Sequence, residues 1–360
     1  MRILFVLPSL EIGGAELAVR NMAIALADAG HAVAVLALRA NPDRVWIEKA
    51  FAPLFRHPGI TTIEASATPL HRPVGAWRAL GRLRRAIAEF EPEIVHSHCS
   101  RADMAVAAIV SHRPFRRVRT AHTSHARPML GPMVERLVNR LGRFDALIAV
   151  SEDVRRNNRG GPACVVIPNP LFDLTPPPAR VARHGAAEPL QVAVVGRLEA
   201  GKGQRALLDA IRRRYGDGAD MPFVLHLYGD GAEAGAIGVA AHSFGDRVLI
   251  HGIVLDRDEI YGGKDAVLIP STTEGLSSVM VEAVAWGVPV LSFDLPGARD
   301  VLARWHCGRI VSSHAEMLSQ LERGGLPTID DATRLEVIRQ FSIENSVRRH
   351  LPLYGGTEEI

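Results

Sequence analysis

Two glutamates, Glu274 and Glu282, lie eight residues apart where an apolar run gives way to a helical pattern. The run Ala266–Ile269 predicts a buried strand, so we expect Glu274 in the following loop and Glu282 about one turn inside the next helix. A carboxylate only accepts hydrogen bonds, which suits it to binding the hydroxyls of a ribose or a sugar. The alternative is that Glu274 is a solvated loop residue and that Glu282 only favours the first turn of its helix.

The loop between these glutamates offers backbone donors at a predicted helix start. Gly275, Leu276, Ser277 and Ser278 lead into this helix. The first amides of a helix have no partner within it, and the helix dipole favours negative charge at that end. We therefore expect the amides of Leu276, Ser277 and Ser278 to bind phosphate oxygens.

A glycine-rich stretch, Gly196–Gly203, follows the first apolar run of the second half and carries two cations, Arg197 and Lys202. Glycines let the backbone approach a ligand closely. The two cations suit a diphosphate leaving group, which gains negative charge as it departs. The spacing matches neither a P-loop nor the dinucleotide-binding fingerprint. A glycine-rich turn with two exposed cations is the alternative.

A second glycine turn, Gly13-Gly14, comes after the first predicted strand. Its amides could face a phosphate or an acceptor. Taken by itself, the pair favours a plain tight turn.

The architecture predicted around these loops is α/β, because short runs rich in Val, Ile and Leu alternate with helix-period segments in two series. The strands of the first series are predicted near 2–8, 32–38, 60–64, 94–98, 118–122, 146–150 and 164–167, and those of the second near 191–195, 223–228, 248–251, 266–270, 288–293 and 309–311. Six prolines between 168 and 189 predict a linker between the series. Doubly wound sheets bind ligands beyond the carboxyl ends of their strands, so two such domains would hold substrates between them.

Composition narrows the class of protein. A hydrophobic content of 47% with 22% charged residues is typical of a globular chain, and no apolar run approaches the ~18 residues that span a bilayer. Three widely spaced cysteines argue against a disulfide framework and against a zinc site. The initial apolar run is short and lacks a cleavage signal, which favours a buried strand over a signal peptide. We therefore expect a cytoplasmic protein.

Charge is unevenly distributed. Residues 1–180 carry 24 Lys and Arg against 15 Asp and Glu, whereas the remainder carries 18 against 24. A basic first half suits an anionic acceptor or an anionic membrane surface, here the inner face of the plasma membrane. The basic segment 77–87 could lie on such a surface, although a crossover helix with a solvated basic face is the favoured interpretation. Arg116, Arg117 and Arg119 add positive charge, and no nucleic-acid motif is present.

Eight motifs in chain order resemble those of the retaining GT-B glycosyltransferases of family 4, a group found in bacterial envelope and exopolysaccharide assembly. The motifs are Gly13-Gly14-Ala15-Glu16, His96-Ser97-His98, Ala121-His122-Thr123, Ala149-Val150-Ser151, Ile167-Pro168-Asn169, Gly196-Arg197-Leu198 with Lys202-Gly203, Tyr228-Gly229-Asp230-Gly231, and Glu274 through Glu282 with Ala283, Gly287 and Pro289. The resemblance covers nearly the whole chain. Two positions depart from it: Leu276 stands where the family often has proline, and Pro170 where glycine is usual.

The resemblance implies two Rossmann-like domains facing a central cleft. It implies an acceptor-binding domain at 1–172, a nucleotide-sugar donor-binding domain at 173–345, and a C-terminal helix at 346–360 that returns to the first domain. The residues implied to be catalytic are His122, Glu274, Arg197 and Lys202. Those implied to bind the donor are Gly13, Gly14, Arg197, Lys202, Ile253, Glu274, Gly275, Leu276, Ser277, Ser278 and Glu282.

Individual roles follow from the same resemblance. Arg197 and Lys202 would bind the diphosphate, Glu282 the ribose, and Glu274 the donor sugar. His122 matches the family's active-site histidine, whose neutral ring would hydrogen-bond the donor sugar or the transition state. Ile253 belongs to the loop expected to contact the base.

The function implied is transfer of a hexose-type sugar from a nucleotide-diphosphate donor, with a UDP-sugar favoured, to a hydroxyl of a lipid-linked or anionic glycan. Retention of the anomeric configuration is implied, with no metal or other cofactor. Asp256-Arg257-Asp258 spells an acid-x-acid metal motif of another glycosyltransferase fold, but we expect it to lie in a surface turn and to bind no metal.

Three other functions compete with this one. A nucleotide-sugar epimerase of the same fold would convert the donor without an acceptor, and a non-catalytic nucleotide-sugar-binding protein would not turn over. A nicotinamide-dependent oxidoreductase is disfavoured, because neither half opens with Gly-x-Gly-x-x-Gly after its first strand.

Overall fold

The structure is a computed structural model that describes the chain except for residues 43, 111–113, 123–137, 139, 141, 159–161, 172–187, 273, 296 and 357–360. The chain divides into two compact units: unit 1 comprises residues 1–174 and 341–360, and unit 2 comprises residues 175–340. The boundaries expected from the sequence, after 172 and after 345, differ from these divisions by two and five residues. Linker prolines 176–178 lie outside the described residues.

Unit 1 has a parallel sheet of seven described strands in the order β3-β2-β1-β4-β5-β6-β7. Its strands are β1 (Arg2–Ser9), β2 (Ala32–Arg39), β3 (Ile60–Glu64), β4 (Ile94–His98), β5 (Arg116–Ala121), β6 (Ala146–Ala149) and β7 (Cys164–Val166). Its described helices before the linker are α1 (Gly14–Asp28), α2 (Arg44–Arg56), α3 (Pro73–Phe90), α4 (Ser100–Ala107) and α5 (Glu152–Asn157).

Unit 2 has a parallel sheet of six described strands in the order β10-β9-β8-β11-β12-β13. Its strands are β8 (Leu190–Val195), β9 (Phe223–Tyr228), β10 (Val248–Gly252), β11 (Ala266–Ile269), β12 (Val290–Phe293) and β13 (Gly308–Val311). Its described helices are α6 (Gln204–Tyr215), α7 (Ala234–His242), α8 (Arg257–Tyr261), α9 (Ser278–Ala285), α10 (Ala298–Trp305), α11 (His314–Arg323) and α12 (Asp331–Gln340). In both units the third, second, first and fourth strands lie side by side in that order, the doubly wound arrangement.

The continuous apolar runs are explained by burial on both faces of each sheet. In β1, Phe5 packs into a core that includes α1 and α2, whereas its neighbours Leu4 and Val6 pack into a second core that includes α3 and α4. Strands covered on both sides lose the alternation of apolar and polar residues. The α/β fold class predicted from the sequence is confirmed, and each of the thirteen predicted strands is present within two residues of its expected position.

The final helix, α13 (Ile343–Tyr354), belongs to unit 1. Ser342 caps it by accepting a hydrogen bond from the amide of Asn345 at 3.1 Å. Val347, Leu351 and Tyr354 lie in the same core as β1 and α1. Among the described helices, none has both the length and the apolar character needed to cross a membrane.

Candidate donor and acceptor sites

The loops at the carboxyl ends of β8 and β11 are tied together by backbone contacts. Gly203 adopts a left-handed conformation (φ 76°), and a Cβ there would lie 2.1 Å from the carbonyl oxygen of Pro270. Thr272 donates from its amide and its hydroxyl to the carbonyl of Gly201, at 3.0 and 3.3 Å. Only glycine allows the first approach, because it lacks the side chain that would clash. The two loops therefore have a fixed relative position.

This arrangement brings Lys202 against Glu274. The Lys202 Nζ lies 2.5 Å from Glu274 Oε1, and both side chains are partly exposed. The cation expected to bind a diphosphate and the carboxylate expected to bind a sugar hydroxyl are therefore neighbours, although 72 residues separate them in the chain.

The loop after β9 joins the same edge of the sheet. Gly229 (φ 132°) approaches so closely that a Cβ there would lie 2.0 Å from the carbonyl oxygen of Gly196. Leu198 donates its amide to the carbonyl of Asp230 at 3.0 Å. Arg197 points outward from this junction, is half exposed, and has its Nη1 3.2 Å from Glu199 Oε1. An ion pair this exposed contributes little to stability.

Ile253 lies at the next strand end. It is half buried and directly follows β10, whose last residue, Gly252, accepts a hydrogen bond from the amide of Gly229 at 2.6 Å. The expected base-binding residue and the glycine-rich loop are therefore connected through β9.

Helix α9 begins at Ser278, immediately after Gly275, Leu276 and Ser277. No hydrogen bond from the backbone amides of Leu276, Ser277 or Ser278 occurs among the described residues. The helix dipole and these amides together form the kind of site that receives phosphate oxygens. Within the described part of the chain, no hydrogen bond therefore competes with a phosphate for these amides.

Glu282 lies five residues into α9, and its carboxylate contacts α8. Oε1 accepts from Arg257 Nε at 3.1 Å and from Arg257 Nη2 at 3.0 Å, while Oε2 accepts from the Tyr261 hydroxyl at 2.7 Å. Burial, followed by the charge of Glu282, raises the pKa of Tyr261 well above its usual value, so this hydroxyl remains a donor. Sequence reasoning missed both partners, since no motif signals a contact between the polar segment that forms α8 and the helix α9.

In unit 1, Gly13 and Gly14 form the start of α1, with Gly13 in the capping position. Gly13 accepts the amide of Leu17 at 3.0 Å. A Cβ at position 13 would lie 2.7 Å from Glu16 Oε2, so the Glu16 carboxylate already lies beside the helix start that a phosphate was expected to approach.

His122 follows β5 and is held by a second histidine. Its Nε2 lies 2.9 Å from His98 Nδ1, and the two rings are 5.2 Å apart. Burial lowers the pKa of His122 to about 4 and that of His98 well below 6.5, so both rings are neutral near pH 7. The other nitrogen of each ring is buried and has no partner among the described residues. A sugar hydroxyl that binds His122 Nε2 must replace His98.

The neighbouring strand positions are also filled by buried polar groups. His96 is bonded through Nδ1 to the Tyr354 hydroxyl at 2.7 Å and through Nε2 to the Thr120 hydroxyl at 2.8 Å. Arg119, expected to add surface charge, is instead 1% exposed and paired with buried Asp103 at 2.9 Å. The expectation was wrong because Arg119 lies on a central strand whose two faces are covered.

No cluster of three or more His, Cys, Asp or Glu side chains able to hold a metal ion occurs in the part of the chain that the structure describes.

Two family models match the chain in sequence order. Residues 12–171 match the model described as Glycosyltransferase Family 4, and residues 189–323 match the model described as Glycosyl transferases group 1. Together the two matches cover most of the chain. The first match lies within unit 1 and the second within unit 2. Together they contain every candidate site residue named above.

Solved structures of similar fold cover the chain almost completely. HepE of Anabaena, in complex with UDP and glucose, matches with a TM-score of 0.75 and 19% identity over 97% of this chain and 98% of that one. Sucrose-phosphate synthase of Thermosynechococcus elongatus matches with a TM-score of 0.78 and 19% identity over 99% and 98%. At such identities the likeness establishes the fold.

A curated relative is the GtfA subunit of the UDP-N-acetylglucosamine–peptide N-acetylglucosaminyltransferase of Streptococcus pneumoniae, 26% identical over 125 residues. That alignment covers 33% of this chain and only a quarter of the relative. With the two family matches and the doubly wound sheets of both units, the chain belongs to the family 4 glycosyltransferases of the GT-B fold.

Proposed function

We propose that the chain transfers a hexose-type sugar from a UDP-sugar to a hydroxyl of a lipid-linked or anionic glycan, with retention of the anomeric configuration and without a metal. The observation that carries the donor half of this proposal is the contact between Lys202 and Glu274 at the edge of the unit 2 sheet. It joins a diphosphate-binding cation to a sugar-binding carboxylate. The available amides of Leu276, Ser277 and Ser278 support a phosphate at the same edge.

In this proposal the leaving group is stabilised electrostatically. Arg197 and Lys202 bind the diphosphate and compensate the negative charge that builds up as the bond between the anomeric carbon and the phosphate oxygen breaks. The acceptor hydroxyl forms the new bond on the same face, and the departing phosphate oxygen takes its proton. The two cations do the work that a divalent metal does in other transferases, so EDTA should leave turnover unchanged.

The roles of Glu274 and His122 are to bind the donor sugar. Glu274 accepts a hydrogen bond from a sugar hydroxyl while it remains paired with Lys202. His122, kept neutral by burial, contacts the sugar or the transition state by exchanging His98 for a sugar hydroxyl. Neither residue has to accept the proton of the acceptor hydroxyl, because the departing phosphate oxygen takes it.

The donor proposal is tested by thermal unfolding with UDP, GDP, ADP and CMP, since a ligand that binds only the folded state raises the midpoint. We expect UDP to raise it for the wild type and for Arg304→Ala, an exposed arginine elsewhere in unit 2. Arg197→Ala and Lys202→Ala should lose most of the shift. Absence of any shift with all four nucleotides would contradict the proposal.

The transferase proposal is tested by incubating UDP-glucose with and without a lipid-linked glycan acceptor. Release of UDP only when the acceptor is present, with an NMR coupling constant that shows the donor's anomeric configuration in the product, is the expected result. Conversion of the sugar without an acceptor would favour the epimerase. UDP-sugar binding without turnover on any acceptor would favour a non-catalytic binding protein.

We also propose that α3 contacts an anionic membrane on which a lipid-linked acceptor lies. Trp77 is 77% exposed and Val74 is 55% exposed, and the exposed side of the helix also carries Arg84 and Arg85. Its other side packs Leu83 into the core. An exposed tryptophan among arginines suits a negatively charged lipid interface.

This contact is tested by co-sedimentation with vesicles of phosphatidylglycerol and phosphatidylcholine. The wild type should bind at low salt and less at 0.5 M salt, and Trp77→Ser with Arg84→Gln should reduce binding several-fold. Val239→Ser, which changes an exposed apolar residue of unit 2, is the matched control. Equal binding of all variants would exclude α3 as the contact.

A further inference from the structure

The two carboxylates of the acid-x-acid tripeptide have different structural roles: one caps α8, and the other joins α8 to the end of α9. Asp256 caps α8 by accepting the amide of Asp258 at 2.9 Å. Asp258 Oδ1 in turn accepts the indole N–H of Trp286 at 2.7 Å, directly after the end of α9. The rings of Tyr261 and Trp286 lie 5.7 Å apart. These contacts hold α8 with a defined side toward α9.

The side that α8 presents carries Arg257 and Tyr261, which lie four residues apart and hence on one face of the helix. Both donate to Glu282: Arg257 twice to Oε1, and Tyr261 once to Oε2. The Glu282 side chain is 13% exposed and that of Arg257 is 30% exposed, so the carboxylate remains within reach of a ligand.

The acceptor capacity of this carboxylate can be counted. A carboxylate offers about four acceptor positions, two on each oxygen. Arg257 occupies both positions of Oε1, and Tyr261 occupies one position of Oε2. Among the contacts of the described residues, a single position on Oε2 is left for a ligand. A ribose carries two adjacent hydroxyls, and a carboxylate with both oxygens available would accept from both.

We propose that Arg257 and Tyr261 are positioning residues that leave Glu282 one acceptor position, so that it binds a single hydroxyl of the donor ribose. The inference rests on the proposed function, since it takes a nucleoside diphosphate as the ligand of unit 2. It adds a specificity rule: one ribose hydroxyl is recognised by Glu282 and the other is not. Arg257 sets this rule by occupying Oε1.

The test measures the affinities of UDP, 2′-deoxy-UDP and 3′-deoxy-UDP by calorimetry. For the wild type, one deoxy form should bind about tenfold more weakly than UDP and the other within about twofold, since one hydrogen bond is lost in only one of them. Arg257→Ala frees Oε1, so both deoxy forms should then bind more weakly than UDP. Tyr261→Phe frees the second position of Oε2 and should have the same effect.

Arg304→Ala is the control and should keep the wild-type pattern, and the unfolding midpoint of each variant reports whether it is folded. The inference is overturned if the wild type binds both deoxy forms more weakly than UDP by the same factor. It is also overturned if the wild type binds both deoxy forms as tightly as UDP. An Arg257→Ala variant that binds UDP and keeps the single-hydroxyl pattern overturns it as well. In each of these results UDP still binds, so the proposed function stands; failure of UDP and GDP to bind the wild type overturns both.

Discussion

At the scale of single residues, the proposed function assigns different ligand contacts to the paired side chains of Lys202 and Glu274. Lys202→Ala removes a cation from the diphosphate, so the affinities for UDP and for UDP-glucose should both fall about 10- to 100-fold, the range of a charged hydrogen bond. Glu274→Gln should weaken UDP-glucose more than UDP, because only the sugar meets this side chain. Calorimetric titration of both ligands measures the difference. A loss of equal size for both ligands in Glu274→Gln would assign Glu274 to the diphosphate.

The sequence pointed to the residues of the candidate donor site, but not to their partners in the structure. Arg197, Lys202 and Glu274 could be found because each follows an apolar run at a strand end, where ligands of doubly wound sheets bind. The contacts of Glu282 with Arg257 and of His122 with His98 join residues 25 and 24 positions apart. Such pairs depend on how neighbouring elements pack, which the local pattern does not encode.

At the scale of elements, one glycine holds the β8 loop against the β11 loop. Gly203→Ala should destabilise unit 2 by about 2 kcal/mol or more, because alanine is strained at φ 76° and its Cβ would lie 2.1 Å from the carbonyl oxygen of Pro270. It should also weaken UDP binding, since Lys202 precedes it. Gly201→Ala in the same loop is the control, because a Cβ there meets nothing within 4 Å. Equal unfolding midpoints for the two variants would show that unit 2 does not depend on the close approach of the β8 loop to the β11 loop.

The buried histidines between β4, β5 and α13 predict an acid-sensitive unit 1. Burial lowers the pKa of His122 and of His350 to about 4, and those of His96 and His98 well below 6.5. Between pH 6.5 and about 4 the unfolded chain binds protons that the folded unit does not, so the free energy of unfolding falls with pH by up to about 1.4 kcal/mol per unit for each histidine. Above pH 7 this contribution is complete and constant.

Urea unfolding followed by circular dichroism at pH 7.5, 6.0 and 5.0 measures this dependence. His350→Gln removes one of the four titrations and should give a shallower decline. His57→Gln, which changes a histidine outside the cluster, should follow the wild type. If the free energy of unfolding of His350→Gln fell with the same slope as that of the wild type, His350 would be excluded as a cause of the acid sensitivity.

At the scale of the whole molecule, charge and chain order distinguish the two units. The basic half of the sequence forms most of unit 1, yet part of its charge is used inside the protein, as Arg119 shows. Asp103 is buried with Arg119, so this pair does not change the net charge at the surface; composition alone could not show that one arginine of the basic half is buried. The positions of the strands along the chain could be predicted because burial on both faces produces long apolar runs. The return of the chain to unit 1 after residue 340 has no local signal, and its expectation came from the family resemblance.

The return of the chain makes unit 1 dependent on its last helix. Leu351 is buried in the core beside β1 and α1, so Leu351→Ala should cost about 2 to 5 kcal/mol of unit 1 stability. The residues proposed to bind the diphosphate, Arg197 and Lys202, lie in unit 2, so the affinity for UDP at 25 °C should stay within about twofold of the wild type. Calorimetric unfolding and UDP titration of the same variant test both statements. A large loss of UDP affinity would mean that nucleotide binding depends on unit 1, and the donor site would then have to extend beyond the strand ends of unit 2.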